Sequence, residues 1–181
     1  MRTSAIVVPE PRPSPAGAVD RADLDVLAEQ LRRPPRGVRA VAHRCPAGHP
    51  NVVTTGPRLE DGTPFPTLYY ITCPRLAGAV GTLEASGLMR EMSERLRTDG
   101  DLAAAYAAAH EGYLREREAI EVVPETSGIS AGGMPHRVKC LHVLVAHALA
   151  KGPGVNPLGD EAVLLLGEWW QGTPCASAPG S

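Results

Sequence analysis

Apolar side chains are most concentrated in residues 138–151, where they occur on every side of a helical wheel. A surface helix is apolar along one stripe only, so this pattern predicts a helix buried in the middle of the domain. Cys140 and His147 are seven residues apart, which returns them to nearly the same side of a helix, whereas His142 points elsewhere. Polar groups inside a buried helix need partners, so we expect this helix to carry chemistry as well as packing.

Amphipathic helices are predicted on both sides of this central one. Asp20 is positioned as the N-cap of a helix in which Leu24, Leu27 and Leu31 share one face. The charges of residues 115–118 are typical of a solvated face. The remaining helices are predicted at 75–96, broken or bent near Gly87, at 102–120 and at 158–170.

Three short runs with strand character, at residues 38–43, 51–55 and 67–72, are separated by turn-rich segments. In an antiparallel meander the first and third strands run the same way, so Cys45 and Cys73 should emerge at the same edge of the sheet. The chain therefore predicts an α+β fold. We expect a small antiparallel sheet of about three strands, packed with four or five helices around the buried central helix at 138–151.

Composition and charge limit the organisation of the 181 residues. Residues 1–19 are predicted to be a flexible Pro-rich arm, 20–171 a single globular domain, and 172–181 a flexible tail that keeps Cys175 apart from the other cysteines. A net charge of -2 gives no strong nucleic-acid signal. No apolar run reaches the roughly 18 residues that span a bilayer, so we expect a cytoplasmic protein without a membrane partner. A protein partner or a small-molecule anion remains open.

The cysteines suggest a metal site. Cys45 and Cys73 at one sheet edge, with Cys140 at the start of a helix that packs on that sheet, would converge on one point. His147 is the preferred fourth ligand by its side of the helix, with His142 and His49 as alternatives. Three thiolates and a histidine suit zinc, and three thiolates with an open position suit an iron–sulfur cluster, so the cofactor is predicted to be one of these two.

Three other functions compete with the metal hypothesis. In a small enzyme, Cys140 would be the nucleophile and His142 or His147 its base, because a helix N-terminus and neighbouring cations favour a thiolate. In an interaction protein, the cysteines would be purely structural. The sequence does not decide whether the protein is an enzyme. In an anion- or phosphate-binding module, the ligand would be bound at the helix N-terminus by Gly132, Gly133, Arg137 and Lys139.

Residues 24–167 resemble a known family. The segments RCPAGHPNVVTTGPRLEDGTPFPTLYYITCPRL, GLMREM and GISAGGMPHRVKCLHVLVAHALAKGPGVNPLGDEA are similar to the bacterial, largely actinobacterial family called domain of unknown function 501. The resemblance implies no activity, but it places the three cysteines and both helix histidines in the family's motif and so favours the metal hypothesis. The pattern falls on Cys45, Pro46, Thr63, Pro64, Tyr70, Cys73, Pro74, Arg137, Val138, Lys139, Cys140, His142, His147, Asn156, Pro157 and Gly159.

Overall fold

A four-stranded antiparallel sheet forms one layer of the molecule in a computed structural model, which describes residues 17–172 and 175–176. The strands lie in chain order, so each pairs with the next one along the sequence. This confirms the predicted α+β class and the meander, with one strand more than expected. The strands are β1 (Gly17–Ala18), β2 (Val38–Arg44), β3 (Pro50–Thr55) and β4 (Tyr69–Ile71).

The sheet differs from the prediction in two details, an additional first strand and a shorter last strand. Strand β1 lies inside the segment predicted to be an arm and pairs with Val41 and Ala40 of β2, while residues 1–16 lie outside the described part. Strand β4 is shorter than predicted because the N–H of Leu68 donates to the hydroxyl of Tyr113 at 2.5 Å. That amide therefore bonds a side chain of a helix instead of the neighbouring strand.

Six α-helices are present with the sheet in the described residues, and some of them pack on other helices instead of on the strands. The side chain of Asp20 caps the first helix by accepting the N–H of Asp23, and Gly87, with φ of 90°, divides the predicted 75–96 helix into two. No helix of the described residues is long and apolar enough to cross a membrane. The helices are α1 (Arg21–Leu31), α2 (Pro74–Ala85), α3 (Leu88–Thr98), α4 (Gly100–Ile120), α5 (Leu141–Lys151) and α6 (Pro157–Leu166).

The helix α5 is the buried centre of the fold, as its apolar pattern predicts. Leu141, Leu144 and Val145 have no exposed surface, and every residue from 143 to 149 is buried. The helix begins at Leu141 instead of 138, because the N–H of Lys139 donates to the carbonyl of Gly132 and holds the preceding residues in a turn. Cys140 is therefore the N-cap residue, outside the helix proper, and the helical-wheel argument that paired it with His147 does not apply.

Candidate metal centre and a second cysteine–histidine cluster

The turn between β2 and β3 brings Cys45 and His49 together. The N–H of Cys45 donates to the carbonyl of His49 at 2.9 Å, and the N–H of Gly48 donates to the carbonyl of Cys45 at 2.8 Å. Gly48 adopts φ of 86°, a conformation that glycine tolerates best. This tight turn is fixed to α1, because Arg44 makes two hydrogen bonds to the carboxylate of Asp23, at 2.7 and 2.8 Å.

Cys175, which is far away in sequence, completes a group of three potential metal ligands with these two residues. The sulfurs of Cys45 and Cys175 and a ring nitrogen of His49 all lie within 4.8 Å of one another. The Sγ atom of Cys175 is 3.6 Å from Nδ1 of His49. Gln30 of α1 fixes this arrangement, because its amide donates both to Cys175 Sγ at 3.4 Å and to the carbonyl of Pro50 at 2.8 Å.

Cys73 adds a third thiol beside the group. It is the N-cap of α2, only 2% exposed, and its side chain interacts directly with that of Cys175. Burial raises the pKa of the Cys175 thiol, and the neighbouring Cys73 raises it further. Burial also raises the pKa of the Cys45 thiol, although the N–H groups of Ala47 and His49, which donate to its sulfur, act in the opposite direction.

A second cluster lies at the other end of α2, where Glu84 meets the start of α5. A carboxylate oxygen of Glu84, the sulfur of Cys140 and a ring nitrogen of His142 lie within 4.8 Å of one another. Oε1 of Glu84 accepts the N–H of Leu141 at 2.7 Å and lies 3.2 Å from Nδ1 of His142. The cluster reaches solvent, since the side chains of Glu84 and His142 are 23% and 35% exposed.

The groups around His142 raise the pKa of its ring. Its Nε2 lies 3.2 Å from the carbonyl oxygen of Ala77, which can only accept, while its Nδ1 faces Glu84. The hydrogen bond with Cys140 is the largest cause that raises the pKa of His142, to about 9, and the hydrogen bond and charge of Glu84 act in the same direction, against the effect of burial. Both ring nitrogens therefore lie beside groups that can accept a hydrogen bond.

These positions differ from the predicted ligand set of Cys45, Cys73, Cys140 and His147. Within the part of the chain that the structure describes, Cys140 groups with Glu84 and His142, and it does not join Cys45. His147 is 1% exposed, with its Nδ1 3.2 Å from the amide nitrogen of Asn156, and it belongs to neither group. The physical reason is the start of α5, because Cys140 has extended backbone before the first turn and does not follow the helical spacing that would place it on the side of His147.

Of the residues predicted to bind an anion, the two glycines have a packing role. A Cβ atom on Gly132 would lie 2.9 Å from Leu144 Cδ1, and one on Gly133 would lie 2.9 Å from the carbonyl oxygen of Arg137. The glycines thus allow the loop to close tightly against α5 and on itself. The side chains of Arg137 and Lys139 are exposed on the outside of this turn.

Two important residues, Cys175 and Glu84, were not predicted from the sequence. Cys175 was assigned to a flexible tail, yet it is half-buried and the next residue, Ala176, is 5% exposed. The composition of that tail does not predict its contacts, and the cysteine is the only residue there that suggests a role. Glu84 lies 56 residues before Cys140 with no distinctive spacing, so only the packing of α2 on α5 reveals it.

The fold and these groups define a small α+β domain with cysteine and histidine side chains arranged so that they could hold a metal ion. Residues 41–164, more than half of the chain, match the family described as "Protein of unknown function (DUF501)". The chain therefore belongs to this family, which confirms the resemblance found in the sequence. No curated protein and no solved structure matches it.

Proposed function

We propose that this protein is a zinc-binding domain, with the ion held by Cys45, His49, Cys73 and Cys175 and used to stabilise the fold. The observation that carries the proposal is the group of two sulfurs and a ring nitrogen within 4.8 Å of one another. With Cys73 beside Cys175, the donor set is three thiolates and one imidazole, a combination typical of tetrahedral structural zinc.

The surroundings of the sulfurs support a metal-bound thiolate. The sulfur of Cys45 accepts N–H groups of Ala47 and His49, and that of Cys175 accepts the amide of Gln30. Such donors partly offset the negative charge of a thiolate and orient it, as outer-shell groups do in metal sites. Two thiols buried for packing alone would not need these three donors, two at Cys45 and one at Cys175.

The separation of the ligand atoms favours a single ion over an iron–sulfur cluster. Sulfurs around one zinc ion at about 2.3 Å per bond lie roughly 4 Å apart, whereas a cubane cluster spreads them to about 6 Å or more. The ligand atoms of Cys45, His49 and Cys175, the group without Cys73, lie within 4.8 Å of one another and fit the first case. Zinc also accepts the mixed nitrogen and sulfur donors present here.

The proposed ion would join three segments that are distant in sequence. These are the β2–β3 turn, the start of α2 after β4, and the C-terminal segment at Cys175. Because an unfolded chain does not bring these ligands together, binding energy becomes folding energy. The ligands must stay reduced, which agrees with the expected cytoplasmic location.

The test is elemental analysis and mass spectrometry of the native protein. We expect about one zinc per chain in the wild type, and its loss in the Cys45→Ser and Cys175→Ser variants. Cys140→Ser is the matched control, a cysteine at the start of a helix outside the group, and it should keep its zinc. Iron with inorganic sulfide, or a disulfide between Cys175 and a neighbouring cysteine in a well-folded zinc-free protein, would contradict the proposal.

A further inference from the structure

A cavity of about 380 Å³ lies on one face of the sheet, beside the end of α1. Val38, Val53 and Tyr70 line it from the strands, and Leu31 and Phe65 line it from the neighbouring segments. Cavities of this size that are largely apolar and contain a few polar groups are typical of sites for small ligands. None of the four proposed zinc ligands lines it, so it is a separate site.

The segment that follows β3 forms one wall of the cavity, and hydrogen bonds fix its shape. The N–H of Phe65 donates to the carbonyl of Pro57 at 2.7 Å, which closes the segment on itself. The N–H of Gly56 donates to the carbonyl of Gly37 at 2.8 Å, which joins the segment to the connection between α1 and β2. The cavity is therefore formed before a ligand arrives, and this reduces the entropy lost on binding.

Thr72, which follows β4, contributes a polar group that the protein leaves unused. Thr72 lines the cavity and is only 3% exposed, and its hydroxyl is buried with no hydrogen-bond partner among the described residues. Thr55, which also lines the cavity, shows the contrast, because its hydroxyl donates to the carbonyl of Thr67 at 2.6 Å. A buried hydroxyl without a partner costs free energy, so a polar ligand group that reaches Thr72 gains a hydrogen bond that the protein does not supply.

Two arginines line the cavity, and they differ in their partners. Arg36 pairs with Asp61 at 2.5 Å and with Glu60 at 3.8 Å. Arg33 is exposed and makes no ion pair or hydrogen bond within the part of the chain that the structure describes. No acidic side chain of the described residues lines the cavity. The positive charge of Arg33 is thus available to an anionic group, and it disfavours a cationic ligand.

We propose that this cavity binds a small aromatic carboxylate that carries a hydroxyl group on its ring. The carboxylate pairs with Arg33, and the ring hydroxyl forms a hydrogen bond with Thr72. The rings of Phe65 and Tyr70 have centroids 6.4 Å apart and are tilted by 49° to each other, so they can contact the ligand ring in the offset or edge-on geometries that aromatic groups prefer.

Isothermal titration calorimetry of the full chain with 4-hydroxyphenylacetate tests the proposal. We expect one saturable site with a Kd on the order of 0.1 to 1 mM, as suits a ligand of this size. Phenylacetate lacks the ring hydroxyl, and 4-hydroxyphenylacetamide lacks the charge. Each should bind about 5- to 10-fold more weakly, because each loses one polar contact.

Two variants assign the binding to this cavity. Arg33→Gln should weaken the binding of 4-hydroxyphenylacetate by about 10-fold and remove its advantage over the amide. Arg32→Gln is the matched control, since Arg32 is the exposed neighbour that does not line the cavity, and it should bind like the wild type. Thr72→Val replaces the hydroxyl by a methyl group of similar size and should remove the advantage over phenylacetate. It should leave the Tm of the protein without ligand unchanged or higher, because the hydroxyl has no partner to lose.

Four results would overturn the proposal. The first is the absence of saturable binding by the full chain, and the second is equal affinity for the carboxylate and the amide or an unchanged affinity in Arg33→Gln. The third is a marked fall in Tm for Thr72→Val, which would show that the hydroxyl has a partner within the protein. The fourth is self-association of the chain that both variants weaken, because a second copy would then fill the cavity.

Discussion

The environment of a single residue, His147, illustrates how burial decides its chemistry. Its ring stacks on Tyr69 with centroids 5.7 Å apart and meets Tyr113 edge-on at 5.3 Å. Its Nδ1 lies 3.2 Å from the amide nitrogen of Asn156, while its Nε2 is buried with no partner among the described residues. Burial lowers the pKa of His147 to about 4, with Lys151 acting in the same direction and Glu116 against it. The ring is therefore neutral at physiological pH.

The first prediction is that this neutral ring makes the protein less stable in mild acid. The pKa of His147 is about 4 in the folded state and near 6.5 when unfolded, so between these values the unfolded chain binds more protons. The contribution of His147 to the free energy of unfolding should therefore be fully present above pH 6.5. It should decrease by up to about 3 kcal/mol as the pH falls to 4. Urea unfolding across this range measures it.

The control is His147→Phe, which keeps a ring between the two tyrosines but cannot be protonated. It should be less stable than the wild type at neutral pH, because the amide of Asn156 loses its hydrogen bond with His147 and keeps only the longer contact with the sulfur of Met134. Between pH 6.5 and 4 its free energy of unfolding should fall less steeply than that of the wild type. Other acid-sensitive groups, the proposed zinc ligands among them, are common to both proteins. Identical slopes would show that His147 does not titrate as the structure indicates.

Sequence patterns identified residue types better than residue partners. Cysteine and histidine were recognised as the candidates for chemistry, and His49 was among the alternatives, but the grouping depended on contacts between distant segments. Arg117 shows the same limit, because its charged neighbourhood predicted a solvated face. It is 1% exposed, with its guanidinium donating to the carbonyls of Pro66, Thr126 and Ile129. Those carbonyls belong to loops, and no local sequence pattern predicts where these loops lie.

The packing of α6 on α5 depends on one glycine. A Cβ atom on Gly159 would lie 2.3 Å from the carbonyl oxygen of Leu144 and 2.9 Å from Cβ of Ala148. These are backbone and near-backbone atoms of the most buried helix, so they cannot move aside cheaply. Gly159 is in the first turn of α6, where its N–H donates to the side chain of Asn156 at 3.0 Å.

The second prediction concerns this contact. Gly159→Ala should destabilise the protein by about 2 kcal/mol or more, because the added methyl group forces the two helices apart. Gly78→Ala in α2 is the matched control, since a Cβ there meets nothing within 4 Å and the residue is exposed. That change should instead stabilise the protein by up to about 1 kcal/mol through helix propensity. Chemical denaturation of both variants measures the difference, and a neutral Gly159→Ala would contradict the close approach.

Local patterns predicted most helices and strands but misplaced some ends. The break at Gly87 and the cap at Asp20 follow from the residues themselves, and both are confirmed. The start of α5 was predicted three residues too early, because the hydrogen bond from Lys139 to Gly132 and the contact of Leu141 with Glu84 are tertiary features. That small shift changed the interpretation of Cys140, which shows how a helix boundary can decide a site.

On the scale of the whole molecule, the C-terminal segment is fastened to the first half of the chain. Cys175 contacts His49 in the β2–β3 turn and Gln30 in α1, and Ala176 beside it is buried. Sequence separations of 126 and 145 residues make these contacts costly in chain entropy. A metal ion bound by Cys175 and the turn would offset that cost, so the ion and the C-terminal segment should stabilise the fold as one unit.

The third prediction is that removing the ion and removing the segment have the same effect. A chelator should lower the Tm of the full chain by roughly 10 °C, since a bound ion stabilises only the folded state. A chain ending at Gly172 lacks Cys175, so it should have the low Tm from the outset and respond little to the chelator. A chain ending at Ala176 keeps the ligand and is the matched control, and it should behave like the full chain. Thermal unfolding of the three proteins, each with and without chelator, gives the comparison. If the chain ending at Gly172 kept its zinc and its chelator-sensitive Tm, Cys175 would not be a ligand.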